Sequence, residues 1–302
     1  MISVTVIGGY LGAGKTTLVN HLLRSSNERV AVLVNDFGDI NIDEDLIVSR
    51  DGDTISLANG CICCSLVDGF SSALATIAAL DPLPERLVIE SSGVADPATA
   101  AAYGHGPGLT LDATVVVVDA ETIRAKSEDA YVGDTVLRQL GSGDIVVLNK
   151  IDLVDASDAA ATTSWLRQVN ATALIVEATD GQVDPAVLFG VIEPKPAVPY
   201  GHLEDGDRGH AESLFEAWTW SSAEPVARSA LEALMDTLPD EVVRAKGVVY
   251  LDEDALQPMV LQRVGKRWTL RRFSGTAAPD SRLVVIGFHG AFSLEQIADV
   301  LC

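Results

Sequence analysis

The chain has 302 residues, 48% of them hydrophobic and 21% charged, which excludes a wholly disordered polypeptide and suits two domains, each with its own core. Its 43 acidic residues against 21 Lys and Arg give a formal charge of −22, so phosphodiester backbones and anionic membrane faces repel it, and neither nucleic acid nor membrane is expected as a partner. No apolar run reaches the ~20 residues that cross a bilayer, and Met1–Ile7 lacks the basic start and long apolar stretch of a secretory signal. A cytoplasmic protein is expected.

The first predicted strand is Ser3–Ile7. A Gly-rich turn leads into a helix over Thr16–Ser25, with Leu18, Leu22 and Leu23 along one side. Apolar runs follow at Val30–Val34, Leu87–Ile89, Thr114–Val118, Ile145–Leu148 and Leu174–Val176. Continuous Val/Ile/Leu runs suit strands buried on both faces of a parallel sheet, with helices as crossovers. The fold class is therefore α/β, a doubly wound, mainly parallel sheet whose ligands gather beyond the carboxyl ends of the strands. Glu193–Pro199 has three prolines in seven residues, which marks a boundary. The expected division is a first domain over 1–193, a Pro/Gly-rich linker over 194–211 and a smaller α+β domain over 212–302. In that last part, strands are expected at Leu214–Trp220, Gly247–Leu251, Pro258–Arg263, Arg267–Phe273 and Leu283–Ile286, with helices at Pro225–Leu238 and Leu294–Leu301. Short turns between the strands indicate antiparallel pairing. Trp218, Trp220 and Trp268 belong either to the core or to a docking surface.

Gly9-Tyr10-Leu11-Gly12-Ala13-Gly14-Lys15-Thr16 matches G-x-x-x-x-G-K-[ST] in full, between a predicted strand and a predicted helix. Glycines let backbone N–H groups turn inward around phosphate oxygens, and the helix N-terminus adds partial positive charge. Gly9, Gly12, Ala13, Gly14 and Thr17 frame this cradle. Lys15 is expected at the β- and γ-phosphates, and Thr16 at Mg²⁺.

Asn149-Lys150-Ile151-Asp152 follows a late strand, the usual position of a guanine reader. A carboxylate at Asp152 can accept from guanine N1–H and the 2-amino group, a donor pair that adenine lacks. GTP is therefore the expected nucleotide. Glu177-Ala178-Thr179 occupies the position of a second base-contacting loop. Glu90, ending a strand, is placed to hold Mg²⁺ directly or through water, and Gly93 to bring a backbone N–H to the γ-phosphate. The stretch from Val94 to Gly108 is then a candidate switch loop. Asp36 closes the second strand and is the acid in that region expected to assist cation binding. No residue is identifiable as a water-positioning base, so intrinsic hydrolysis is expected to be slow, with a partner or a homodimer completing the site.

Cys61, Cys63 and Cys64 form C-x-C-C. Three thiolates this close can converge on Zn²⁺, with Co²⁺ as the next choice; buried apolar cysteines and a redox group are the other readings. Cys302 lies at the end of the sequence and is incidental.

The ordered set Gly9–Thr17, Asn35–Gly38, Asn59–Leu66, Glu90–Pro97 and Asn149–Asp152 resembles the CobW family of metallochaperone GTPases. The likeness continues in Ala245–Leu251, Val264–Trp268 and Val285–Gly287, similar to that family's C-terminal domain. It implies a GTPase that binds a transition metal at Cys61, Cys63 and Cys64 and couples nucleotide state to delivery to a client metalloprotein. The family's usual N-E-F-G reads N-D-F-G here, with Asp36 one methylene shorter. Its histidine-rich loop is absent: of five histidines, only His202 and His210 fall near the linker. A nucleotide-gated binding module for a client metalloenzyme and a thiol redox sensor are the competing functions.

Overall fold

Runs of Val, Ile and Leu without polar alternation become strands buried on both faces in the computed structural model. It describes residues 1–26, 28–34, 54–56, 73, 77–190, 215–273, 280–290 and 293–301. The chain divides into two units, Met1–Phe189 and Gly190–Cys302. The linker segment 194–211 with His202 and His210, together with Asp36, Cys61, Cys63 and Cys64, lies outside the described residues.

The first unit runs β1 (Ile2–Gly8), α1 (Lys15–Ser25), β2 (Val30–Val34), β3 (Thr54–Ser56), β4 (Arg86–Glu90), α2 (Pro97–Tyr103), β5 (Leu109–Asp119), α3 (Ile123–Glu128), α4 (Gly133–Ser142), β6 (Ile145–Asn149), α5 (Ala156–Val169), β7 (Leu174–Glu177) and α6 (Pro185–Phe189). The strands form one parallel seven-stranded sheet in the order β3-β2-β4-β1-β5-β6-β7. The order leaves β1 in opposite directions, through β4 on one side and β5 on the other. The turn after β1 is therefore the switch point where such sheets bind ligands. One core cluster packs Val4, Val6, Leu33, Leu87 and Ile89 with Ala100 and Ala101 of α2. Another packs Val116, Val118, Val146 and Leu148 with Val136, Leu140 and Leu166 of the neighbouring helices. Burial of such chains contributes roughly 25 cal/mol per Å² of apolar surface.

Two local expectations change. The stretch from Val94 to Gly108 is not all loop, because α2 occupies Pro97–Tyr103. Asp96 caps it by accepting from the Ala98 N–H at 2.9 Å, and Pro97 takes the first turn, where its missing N–H costs nothing. The strand expected at Thr114–Val118 begins five residues earlier, at Leu109. Its Asp112 is tolerated because Arg86 Nη1 donates to its Oδ2 at 2.7 Å. Arg86 is fully buried and also donates to Glu28 at 2.7 Å, to Thr5 Oγ1 at 3.1 Å and to the Phe189 carbonyl at 2.7 Å. Burial opposes its charge, yet Asp112 and Glu28 outweigh that and raise its pKa.

The second unit runs β8 (Phe215–Ser222), α7 (Arg228–Thr237), β9 (Val242–Leu251), β10 (Asp254–Val264), β11 (Arg267–Arg272), β12 (Ser281–Phe288) and α8 (Leu294–Leu301). Its five strands pair antiparallel in the order β11-β10-β9-β12-β8. Trp218 and Trp220 are buried in the core with Leu231, Leu234, Leu261 and Ile297, and Trp268 packs against it half-buried. The first two tryptophans are therefore not a docking surface. Arg263, also buried, donates to the carbonyls of Val242 at 2.7 Å and Leu238 at 3.4 Å, which closes the end of α7. Burial lowers its pKa to about 10.

Candidate functional site: a phosphate cradle at the sheet switch point

The geometry begins with glycine. Gly9 and Gly14 have φ of 130° and 100°, values that L side chains rarely adopt. A Cβ on Gly9 would run into the carbonyl of Val117 on β5, and one on Gly14 into Asn149 Nδ2. The loop thus lies flat against the strand ends. Gly14 starts α1 without any side-chain cap, which leaves the first-turn N–H groups suited to ligand oxygens. Lys15 is buried, Thr16 half-buried and Thr17 exposed along that turn.

Parallel register brings the acid to the loop. Ile7 pairs with Glu90 across β1 and β4, and Val34 pairs with Glu90 across β2 and β4. Thr16 Oγ1 donates to Glu90 Oε1 at 2.9 Å, and Glu90 is only 2% exposed. These are two hard oxygen donors at one point, the donor type that Mg²⁺ prefers. Gly93 follows in a turn where the Ala95 N–H donates to the Ser92 carbonyl at 3.0 Å. A Cβ on Gly93 would sit 2.5 Å from Leu11 Cδ2 and 2.9 Å from Leu11 N, so this turn presses on the cradle.

The N-K-x-D residues leave the sheet two strands away, where Asp119 pairs with Asn149. Asn149 is buried and braces two loops. Its Nδ2 donates to the Ala13 carbonyl at 2.9 Å, and its Oδ1 accepts from the Gly181 N–H at 2.9 Å. Lys150 adopts a positive φ of 62°, and its Nζ donates to Asp119 Oδ2 at 2.7 Å. Burial raises the pKa of Asp119, but the Lys150 hydrogen bond and charge overcome it, and the net shift is downward. Asp152 is exposed in the short turn Ile151–Leu153. The loop after β7 closes beside it. Ile151 N–H donates to the Ala178 carbonyl at 3.2 Å, while Glu177 is exposed and Thr179 half-buried.

The structure thus gathers Gly9, Gly12, Ala13, Gly14, Lys15, Thr16, Glu90, Gly93 and Asn149 around one loop, with Lys150 and Asp152 on the next. Among the described residues, no group of three or more His, Cys, Asp or Glu could hold a metal ion. Three participants escaped the sequence reading. Asp119 anchors Lys150. Lys126 lies with Nζ 5.3 Å from the Tyr10 ring centroid and 3.5 Å from the Leu11 carbonyl. Gln139 is 2% exposed and donates to the carbonyls of Gly93 and Ala95. A signal for Gln139 existed: it sits on the apolar stripe of α4 marked by Val136 and Leu140.

A glycine cradle at a sheet switch point, an acid joined to the cradle's threonine and an N-K-x-D turn tied to the same loop define a P-loop GTPase. Residues 3–177 match the CobW/HypB/UreG nucleotide-binding domain, and residues 215–301 match the cobalamin synthesis protein cobW C-terminal domain. The chain belongs to the CobW/HypB/UreG family. It is 30% identical to a zinc chaperone CobW of a Sinorhizobium species, over 95% of this chain and 93% of that one. It is 29% identical to the zinc chaperone YjiA of Escherichia coli, over 95% and 94%. The crystal structure of the Zn(II)-bound YjiA GTPase from E. coli aligns with a TM-score of 0.48 at 23% identity, covering 99% of this chain and 97% of that one. Among the described residues, no helix is long and apolar enough to cross a membrane.

Proposed function

We propose that this GTPase is a metallochaperone whose cargo is a transition metal, Zn²⁺ before Co²⁺, carried on Cys61, Cys63 and Cys64 and released to a client metalloprotein. The observation that carries the reading is strand register. Ile7, Val34 and Glu90 lie side by side, so the phosphate loop, the segment after β2 and the acid all depart from one end of the sheet. The sequence between Val34 and Arg86 contains Asp36 and all three clustered thiols. The cargo segment is thus joined in sequence to two strands that end beside the phosphate loop, and in this reading that connection couples the phosphates to the cargo. The relatives at 29–30% identity named as zinc chaperones favour zinc.

In this mechanism Gly9, Gly12, Ala13, Gly14 and Thr17 wrap the phosphates, and Lys15 neutralises charge that grows on the transferring γ-phosphoryl group. Thr16 and Glu90, with Asp36 as a candidate helper, would hold Mg²⁺, which would supply further charge neutralisation to the phosphates. The oxygen donors at Thr16 and Glu90 fit that ion. Asp152 reads guanine, Lys150 flanks the base, and Gly93 senses the γ-phosphate. Loss of that phosphate frees the turn from Ser91 to Asp96, and the cargo segment responds. Among the described residues, no side chain near the cradle is identifiable as a water-positioning base, and slow intrinsic turnover is the expectation.

The test pairs two variants. Lys15→Ala loses GTP turnover by about 100-fold or more while retaining Zn²⁺, and the triple Cys→Ser variant loses Zn²⁺ while retaining turnover. Wild-type turnover in Lys15→Ala contradicts the catalytic assignment, and wild-type zinc retention in the triple variant contradicts the cargo site.

A further inference from the structure

We infer that Gln139 is the positioning residue of the turn that reports the γ-phosphate, through hydrogen bonds to two of its carbonyls. This rests on the reading of Ser91–Asp96 as that turn. Gln139 comes from α4, which packs on the sheet through Val136 and Leu140, so its backbone is held independently of the nucleotide. Its Nε2 donates to the Gly93 carbonyl at 3.1 Å and to the Ala95 carbonyl at 2.8 Å. Both amide hydrogens are thereby spent on carbonyls two residues apart.

Geometry gives the clamp its consequence. A peptide unit is planar, so fixing a carbonyl also fixes the N–H of the following residue. Gln139 thus sets the Gly93–Val94 and Ala95–Asp96 peptide planes. Val94, between them, is 44% exposed, and what orders this turn is its backbone. On the other side Gly93 abuts Leu11 of the cradle. The turn is held between a fixed helix and the phosphate loop, with Glu90 three residues before Gly93 in the chain. Asp96, next along, caps α2 through the Ala98 N–H. A displacement of this turn is therefore passed to α2 at one end and to the Thr16–Glu90 pair at the other.

The clamp predicts selectivity between nucleotides. GDP lacks the phosphate that the turn addresses, so loosening the turn weakens the triphosphate complex and spares the diphosphate complex. The test uses Gln139→Met, which keeps the unbranched shape and helix propensity while removing both donors. Gln139→Glu, which sets carboxylate oxygens against the two carbonyls, is the companion variant. The measurements are affinities for GDP and for a non-hydrolysable GTP analogue, with kcat and KM for GTP. The expected result is a GTP-analogue affinity and a kcat about tenfold lower in Gln139→Met, and lower still in Gln139→Glu. GDP affinity stays within about twofold of wild type. An unchanged ratio of the two affinities overturns the proposal, and so does an equal loss for both nucleotides, which marks a merely structural residue.

Gly93→Ala, whose Cβ strikes Leu11, separates this inference from the reading beneath it. If Gly93→Ala shifts the ratio and Gln139→Met does not, the clamp alone fails. If neither shifts it, the turn is not the phosphate sensor. Should the Gln139 variants not fold, hydrogen exchange over residues 91–97 of the wild-type chain decides: stronger protection with the GTP analogue supports the proposal, and equal protection with both nucleotides overturns it.

Discussion

Replacement of Asn149 by Ala tests whether the phosphate cradle depends on the loop at the end of β6. In the structure one buried amide satisfies two backbone groups from distant parts of the chain, the Ala13 carbonyl and the Gly181 N–H, each at 2.9 Å. Alanine leaves both without that partner in a place where Ala13 and Asn149 are each only 2% exposed. An unsatisfied buried group costs about 1–3 kcal/mol, and water entering the vacated space offsets part of it, so the expected loss is roughly 2–4 kcal/mol. In a domain of this size that lowers Tm by about 5–15 °C. Asn149→Asp keeps the acceptor for Gly181 but turns a carboxylate oxygen toward the Ala13 carbonyl, so it is expected to lose more. Calorimetric melting with and without GDP, beside GDP affinity from a fluorescent analogue, measures both consequences. Affinity is expected to fall by about tenfold because Ala13 sits within the cradle. An Asn149→Ala protein that melts within about 1 °C of wild type and binds GDP equally tightly refutes the reasoning.

Arg86→Leu removes the guanidinium that pairs with Asp112, whose side chain is fully buried, and is expected to cost about 3–5 kcal/mol in urea unfolding. Arg86→Leu with Asp112→Leu should recover most of that loss, and an additive further loss argues against a compensated charge pair. The lowered pKa of Asp119 carries a definite sign. Its folded carboxyl ionises more readily than in the unfolded chain, so its contribution is complete above roughly pH 4 and disappears as pH falls through the lowered value. The Tm difference between wild type and Asp119→Asn should therefore shrink on acidification, and a constant difference at all pH values rules the pair out as its source.

What could be read from the sequence was whatever is local. Val30–Val34 and Ile145–Leu148 announce buried strands by composition, and Gly9–Thr16 announces the cradle by spacing, because both depend on neighbours within a few residues. What could not be read depends on partners far apart in the chain. The run read at Thr114–Val118 stops short of Asp112, an acid whose place in a buried strand depends on Arg86, 26 residues away. Gln139 carried an anomaly, a polar residue on an apolar stripe, but its targets lie 44 and 46 residues back. The stretch from Val94 to Gly108 reads as loop in the sequence, although Asp96-Pro97 within it is itself a helix start. Asn149 was read as part of a base-recognition motif, and in the structure it also braces the cradle, a role that spacing alone does not reveal.

In the proposed mechanism nucleotide state and metal affinity are one coupled equilibrium. Zn²⁺ dissociation constants measured with GTP analogue and with GDP, beside nucleotide dissociation constants measured with and without Zn²⁺, test it directly. The zinc constants are expected to differ by about 5–150-fold, the nucleotide ratio to shift by the same factor as linkage requires, and the triple Cys→Ser variant to abolish both effects. Identical zinc affinity with either nucleotide contradicts it.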